Sequence, residues 1–535
     1  MTIEPPEGAP RTVQNAAGQV LFPLVLAFLA AGICGCDDVN PWDRCGECED
    51  GSCRFDGCMS YCDECADGEA CVVNRCEPFP KVEGCGDMSG LARWSPWPTN
   101  GFCQTRINRS PYAGPVDPEV WWRYPGDEWW TESGSAYGID PLIHRNGSFY
   151  LIAKEPGGYH WTLNGSANRG WSSDAGNPYH YVLHRDGKLY YGSTHDEGGP
   201  VSTKIMAYNG TTSRTILDSS HFSRLASTIL VDPDGSLYLA GYDAKEWGLG
   251  ILLMKIGTDG AILWQQRFPG WDFGAGDLAM GLDGSVYLAL TRDTEDYIFA
   301  YGPKSLLLAF NSAGEKEWEV DLTGGIVQPV VGADGTLYFF EYEPSILPDD
   351  LQGAALGEDG DQEYSWNEAD ELSDETREDA HDFLTALFPD GRLKWKTEIA
   401  SGDWERGSPT SMSVGRRGTI YVAKISSFFD EWDWVEDPPA RWLCAFKPDG
   451  GRKWCAEVPG LTLYPPLVDV NDVVYVGDSR GALFAINPDG RLKWKFYVAE
   501  DYVYPRSIGA DGSLYVALDD GQDWGSFVMV RDAGR

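Results

Sequence analysis

One short motif recurs eight times along this 535-residue chain, and few folds are open to a chain with such a repeat. The copies are GSFYLIA ending at Ala153, GKLYYGS at Ser193, GSLYLAG at Gly241, GSVYLAL at Leu290, GTLYFFE at Glu341, GTIYVAK at Lys424, DVVYVGD at Asp478 and GSLYVAL at Leu518. Their tyrosines (Tyr150, Tyr190, Tyr238, Tyr287, Tyr338, Tyr421, Tyr475 and Tyr515) are separated by 40, 48, 49, 51, 83, 54 and 40 residues. The shortest gap is what four short strands and their turns need. A second motif follows in the same units, with Trp264, Trp318, Trp395, Trp454 and Trp494 each four residues after a turn glycine. ALFPDGRLKW, AFKPDGGRKW and AINPDGRLKW show it best. Pro-Asp-Gly presets φ, supplies a side-chain acceptor and tolerates positive φ, which makes a hairpin. Each unit therefore reads as strand, turn, Tyr strand, variable loop, strand, PDG turn, Trp strand. That is a four-stranded antiparallel meander.

The paired signatures resemble the repeat of the pyrroloquinoline-quinone-type, or quinoprotein-like, propellers. The same repeat builds the lipoprotein B subunit of the outer-membrane barrel assembly machinery. The resemblance implies an all-β fold, an eight-bladed β-propeller over residues 118–535. Blades 1 and 2 depart from it, since Arg169 and Arg214 stand where Trp is expected, so those junctions must pack differently. The Trp motif itself reads as packing between blades. The last unit stops near Gly534 without a Trp strand, and Val120-Trp121-Trp122-Arg123-Tyr124 supplies the missing one. The N-terminal segment is thus expected to close the ring and remove an open edge.

Before the propeller, the apolar run from Val20 to Ile33 is too short to span a bilayer and reads as a signal-peptide core over residues 1–35. Ile33-Cys34-Gly35-Cys36 resembles the lipobox of bacterial lipoproteins, with Cys36 as the lipidated residue. Twelve of the 14 cysteines fall in the first 103 residues. Cys45, Cys48, Cys53, Cys58, Cys62, Cys65, Cys71, Cys76, Cys85 and Cys103 are even in number and follow an export signal, which reads as a disulfide framework over residues 36–104. Zinc at the two CxxC pairs is the alternative. Residues 105–117 read as a linker. In the propeller, Cys444 and Cys455 are symmetric about the Pro448–Gly451 turn and are expected to form a disulfide across a hairpin.

A net charge of −40 argues against nucleic acid as a partner. In quinoprotein dehydrogenases the cofactor lies in the central channel with an adjacent Cys–Cys disulfide, a stacking Trp and calcium ligands. This sequence has no adjacent cysteines, so the resemblance implies the fold rather than the enzyme. We expect no cofactor, no metal and no catalytic residue. His144 and His184 occupy one repeat position and need no paired site, and Glu358–Glu363 reads as a solvated acidic loop rather than a calcium loop.

Nearly all length variation falls in the loop after each Tyr strand: 242–249, 293–303, 341–382 and 425–440. In an up-and-down blade these loops share one face, and variable loops on a rigid scaffold carry binding residues. Their content is acidic and aromatic. Segment 341–382 holds sixteen Asp/Glu and one Arg, and Trp247, Tyr297, Trp366, Phe428, Phe429, Trp432 and Trp434 are the candidate ligand-face aromatics. The sequence thus points to a non-catalytic, exported lipoprotein of the cell envelope, at the outer membrane or periplasmic face. Its propeller is expected to bind a protein or peptide of basic character, with membrane contact through the lipid anchor alone. A role in outer-membrane protein assembly and a quinone-dependent dehydrogenase are the alternatives.

Overall fold

The computed structural model describes residues 69–124 and 141–533 with interruptions, the longest at 163–176, 293–303, 344–380, 402–410 and 425–441. The eight Tyr motifs lie on the second strands of eight antiparallel blades, of which blades 2 and 3 share one sheet. Blade 1 comprises Leu142–Ile143, Phe149–Glu155 and Gly158–Thr162, and blade 2 comprises Asn177–Leu183, Leu189–His195, Ser202–Tyr208 and Ser213–Leu225. Blade 3 runs from Leu230 to Pro269, blade 4 from Ala279 to Thr323, blade 5 from Gly325 to Ser401, blade 6 from Ser411 to Glu457 and blade 7 from Leu467 to Tyr497. Blade 8 has three C-terminal strands, Tyr502–Ile508, Leu514–Asp519 and Gly525–Asp532.

Its fourth strand is Pro118–Tyr124, which pairs antiparallel with Gly525–Asp532, Val120 opposite Val530 and Arg123 opposite Val528. A bulge at Trp121 interrupts that ladder, and the ring closes as the sequence implied. Blades 2 and 3 depart from the simple plan. Strand Ser213–Leu225 pairs with Ser202–Tyr208 in one blade and then, past two bulges, with Leu237–Asp243 of the next.

The two repeat motifs meet inside each blade. In blades 4 to 7 an alanine separates the Tyr and Trp strands in register: Tyr287, Ala309, Trp318; Tyr338, Ala386, Trp395; Tyr421, Ala445, Trp454; Tyr475, Ala485, Trp494. So small a residue lets the flanking rings approach across it, to centroid distances of 5.6–6.0 Å. Each indole then donates to a carbonyl in the next blade's turn: Trp264 to Ser312, Trp318 to Pro389, Trp395 to Pro448 and Trp454 to Pro488, at 2.8–3.0 Å. Trp494 donates to Pro115 of the N-terminal segment instead, at 3.0 Å. The Trp motif is therefore an inter-blade latch.

At the junction of blades 2 and 3 the latch is rebuilt from other residues. Arg214 stands opposite Ala207, which is itself opposite Tyr190, where Trp would be. His184 is buried, meets Tyr190 edge-on and places Nε2 3.1 Å from the Gly235 carbonyl of blade 3. Arg185 adds bonds to the Pro233 and Asp234 carbonyls. His184 is thus a packing residue. His144 and Arg169 lie outside the described residues.

Cys444 and Cys455 stand opposite each other on the outer two strands of blade 6 and form the expected disulfide.

Candidate functional site

Residues 82–117, which the sequence divides between the end of a Cys-rich segment and a linker, pack against the ring on both sides of that boundary. From Trp97 onward, successive backbone carbonyls accept from the last amide of successive inner strands. Trp97 accepts from Ile143 of blade 1, Pro98 from Leu183 of blade 2, Gln104 from Met280 of blade 4, Thr105 from Val331 of blade 5, Ile107 from Val414 of blade 6 and Asn108 from Val468 of blade 7, all at 2.8–3.1 Å. The Gln104 side chain donates to Val231 of blade 3 at 2.9 Å. A segment that meets so many inner strands within twelve residues lies on the propeller axis.

The axial turn is shaped for this. Asn108 donates its amide to the Gly101 carbonyl at 3.0 Å, closing residues 101–108 into a ring, and Phe102, Arg106 and Asn108 adopt positive φ. Side chains finish the seal. Trp97, Phe102, Cys103 and Ile107 are fully buried. Arg106 donates to the Leu278 and Asn100 carbonyls, and Asn108 to those of Pro465 and Pro466. Burial lowers the Arg109 pKa, and the nearby Asp472 and Glu83 charges oppose that shift. A Cys85–Cys103 disulfide ties the incoming chain to the ring.

All these contacts lie at the ends of inner strands beside the short turns, so residues 82–117 cap the short-turn face. The cap spirals: Gly84 packs on Ala333 of blade 5, Gly86 on Leu282 of blade 4 and Gly90 on Asp232 of blade 3. It then passes blades 2 and 1, dives to the axis and exits at blade 8, where the Val116 and Asp117 amides reach Asp532.

The opposite face carries the long loops. The ring is left at Asp243, Arg292, Glu343 and Lys424 and rejoined at Gly250, Lys304, His381 and Trp442. Trp247, Tyr297, Trp366, Phe428, Phe429, Trp432 and Trp434 all fall outside the described residues, as do Cys36, Cys45, Cys48, Cys53, Cys58, Cys62 and Cys65. Cys71 stands opposite Cys76 in the hairpin Glu69–Val72 and Arg75–Pro78, and Cys76 is disulfide-bonded. At the loop-side ends of described strands lie Trp442, Tyr497 and Tyr502, each more than a third exposed. The sequence did not single out these three. Their sign in the sequence is an aromatic at a strand end beside the loop face.

By sequence, no family model and no curated protein matches the chain. By structure it is similar to a quinohemoprotein alcohol dehydrogenase from Comamonas testosteroni at 14% identity, covering 83% of this chain and 81% of that one with a TM-score of 0.50. It is also similar to the quinohemoprotein alcohol dehydrogenase ADHIIG from Pseudomonas putida HK5 at 12% identity, covering 86% and 83% with a TM-score of 0.50. BamB from Moraxella catarrhalis aligns at 14% identity over 78% of this chain and 98% of that one, with a TM-score of 0.41. Main chain and the packed side chains of Trp97, Phe102 and Ile107 fill the turn side of the axis, where a quinone would have to displace them, and Nε and Nη1 of Arg106 and Nδ2 of Asn108 donate to carbonyls there. At these identities the likeness establishes the fold alone, a β-propeller, whose eight blades are those described above.

Proposed function

We propose that this chain is a non-catalytic, exported lipoprotein anchored at Cys36, whose propeller binds a protein or peptide on the long-loop face. The cap carries this reading. With residues 82–117 covering the axis and inner turns of one face, we assign the protein or peptide partner to the opposite, long-loop face. The acidic, aromatic composition of segments 341–382 and 425–440 favours a basic partner, whose association weakens with salt. Aromatic residues on such loops supply anchors for it.

The test is deletion of 345–379. Glu343 and His381 face each other across paired strands, so a short Gly-Ser turn can join them without disturbing the blade. The shortened chain is expected to melt at nearly the same temperature as the parent and to capture less partner from native membranes. A W432A/W434A variant should weaken capture separately. Full capture by both variants overturns the assignment to this face.

A further inference from the structure

Charge is distributed unevenly around the short-turn face. In blades 5, 6 and 7 the six short turns (332–336, 388–394, 415–419, 447–453, 469–473 and 487–493) carry nine Lys/Arg against six Asp, in a chain of net charge −40. The corresponding turns of blades 3 and 4 (232–236, 257–263, 281–285 and 311–317) carry six acids and one lysine. The basic turns are contiguous. Trp395 latches blade 5 to Pro448 of blade 6, Trp454 latches blade 6 to Pro488 of blade 7, and the Arg416 amide donates to Asp472 of blade 7 at 2.6 Å.

Several of these cations lack a carboxylate partner, although Lys453 donates to the Thr419 hydroxyl at 3.1 Å. Arg392, Lys394 and Arg491 are paired with Asp390, Asp334 and Asp489. Among the described residues Arg416, Arg417, Lys447, Arg452 and Lys453 have no carboxylate within ion-pair distance, and all five are exposed. The nearby acid Asp469 is buried and turned onto the Asn471, Val473 and Gly114 amides. Large apolar side chains interleave with the cations: Leu393 and Leu492 are 59% and 57% exposed, with Phe388 beside Arg392 and Lys394. Exposed leucine flanked by Arg and Lys suits an interface where apolar groups enter lipid while cations meet headgroups.

We propose that this rim is a contact surface for an anionic lipid bilayer. Two observations favour lipid over an acidic protein. The rim lies on the capped face, and the chain arrives there at blade 5, where Gly84 meets Ala333, so the segment upstream leaves from this side. Cations and leucines repeat at equivalent turns rather than converging on a pocket, which fits a broad surface. A propeller seated this way points its long loops away from the membrane. The reading takes its membrane from the proposed anchor at Cys36, but the rim can be tested without the anchor.

The test uses the full chain with Cys36→Ser, which removes the acyl site, and vesicles of phosphatidylcholine with or without phosphatidylglycerol. The chain is expected to sediment with the phosphatidylglycerol vesicles at low salt, to leave them as salt rises, and to ignore phosphatidylcholine. R416E/R417E/R452E/K453E should reduce the bound fraction at least about tenfold. The corresponding Gln variants should lose less, and a retained melting temperature shows that the ring is intact. No binding, equal binding to both vesicles, or binding indifferent to salt and to charge reversal overturns the proposal. Mass analysis of the wild-type chain reports on acylation separately, so failure of the anchor and failure of the rim give different results.

Discussion

The latch between blades makes a quantitative prediction at Gly490. This turn glycine has φ +85°, and a Cβ built on it would lie 2.8 Å from Cδ2 and 2.9 Å from Cγ of Trp454. Gly284 provides the matched control, with φ +87° and nothing within 4 Å of its Cβ position. Gly284→Ala meets only the left-handed backbone penalty, partly offset by a less flexible unfolded chain, for a net cost of about 1 kcal/mol. Gly490→Ala adds displacement of an indole that is packed on the turn and donates to the Pro488 carbonyl at 3.0 Å. Overpacking and a weakened hydrogen bond together add about 2 kcal/mol, for a total of about 3 kcal/mol. Urea denaturation followed by far-ultraviolet circular dichroism reads both costs. In a Trp454→Ala background Gly490→Ala should fall back to the cost of the control, giving a coupling of about 2 kcal/mol. Equal costs for the two glycines, or a Gly490→Ala cost untouched by removal of Trp454, would refute the latch.

The remaining predictions concern the disulfide and the repeat tyrosines. C444S/C455S should destabilise the chain by about 2–3 kcal/mol, the loop-closure value for a bridge of this separation, and reductant should lower the denaturation midpoint of the parent more than that of the variant. Burial raises the pKa of Tyr190, Tyr238, Tyr287, Tyr338, Tyr421, Tyr475 and Tyr515, that of Tyr338 to about 12. In the unfolded chain these phenols ionise near their ordinary value of 10, so the folded state binds the extra protons. The contribution of Tyr338 is therefore fully present below pH 10 and lost as pH rises through about 12, and the other six, raised further, lose theirs at still higher pH. An ultraviolet titration should show these tyrosines ionising only as the ring unfolds. Ordinary titration of all 26 tyrosines without unfolding would contradict it.

Strand order, blade number, ring closure and the Cys444–Cys455 pair were legible in the sequence. Each is a local or repeated relation: a turn glycine, an aromatic at fixed offset, two cysteines symmetric about a hairpin. Repetition multiplies a weak local signal until one architecture accounts for all copies. The junction of blades 2 and 3 was legible only as a departure. Missing Trp announced different packing, but His184 and Arg185 taking up the latch depends on where the neighbouring turn comes to rest.

The axial cap left almost no trace in the sequence. Its one sign was composition: residues 95–112 contain Trp97, Phe102, Ile107 and Tyr112 and no acid, which is poor material for an exposed linker. Nothing local predicts that Thr105 bonds Val331 or Asn108 bonds Val468, because those partners lie hundreds of residues away and exist only once the inner strands surround an axis. The basic rim has the same origin. Along the chain its cations sit in turns scattered from Arg392 to Lys493, diluted by a large acidic excess, and it is the latching of blades 5, 6 and 7 that makes them neighbours. The sequence by itself determined the repeating unit and the closure of the ring, since both follow from short-range hydrogen-bond and packing rules. Tertiary structure alone decided what fills the axis and which charges share a face, since both depend on contacts that form only after the ring has closed.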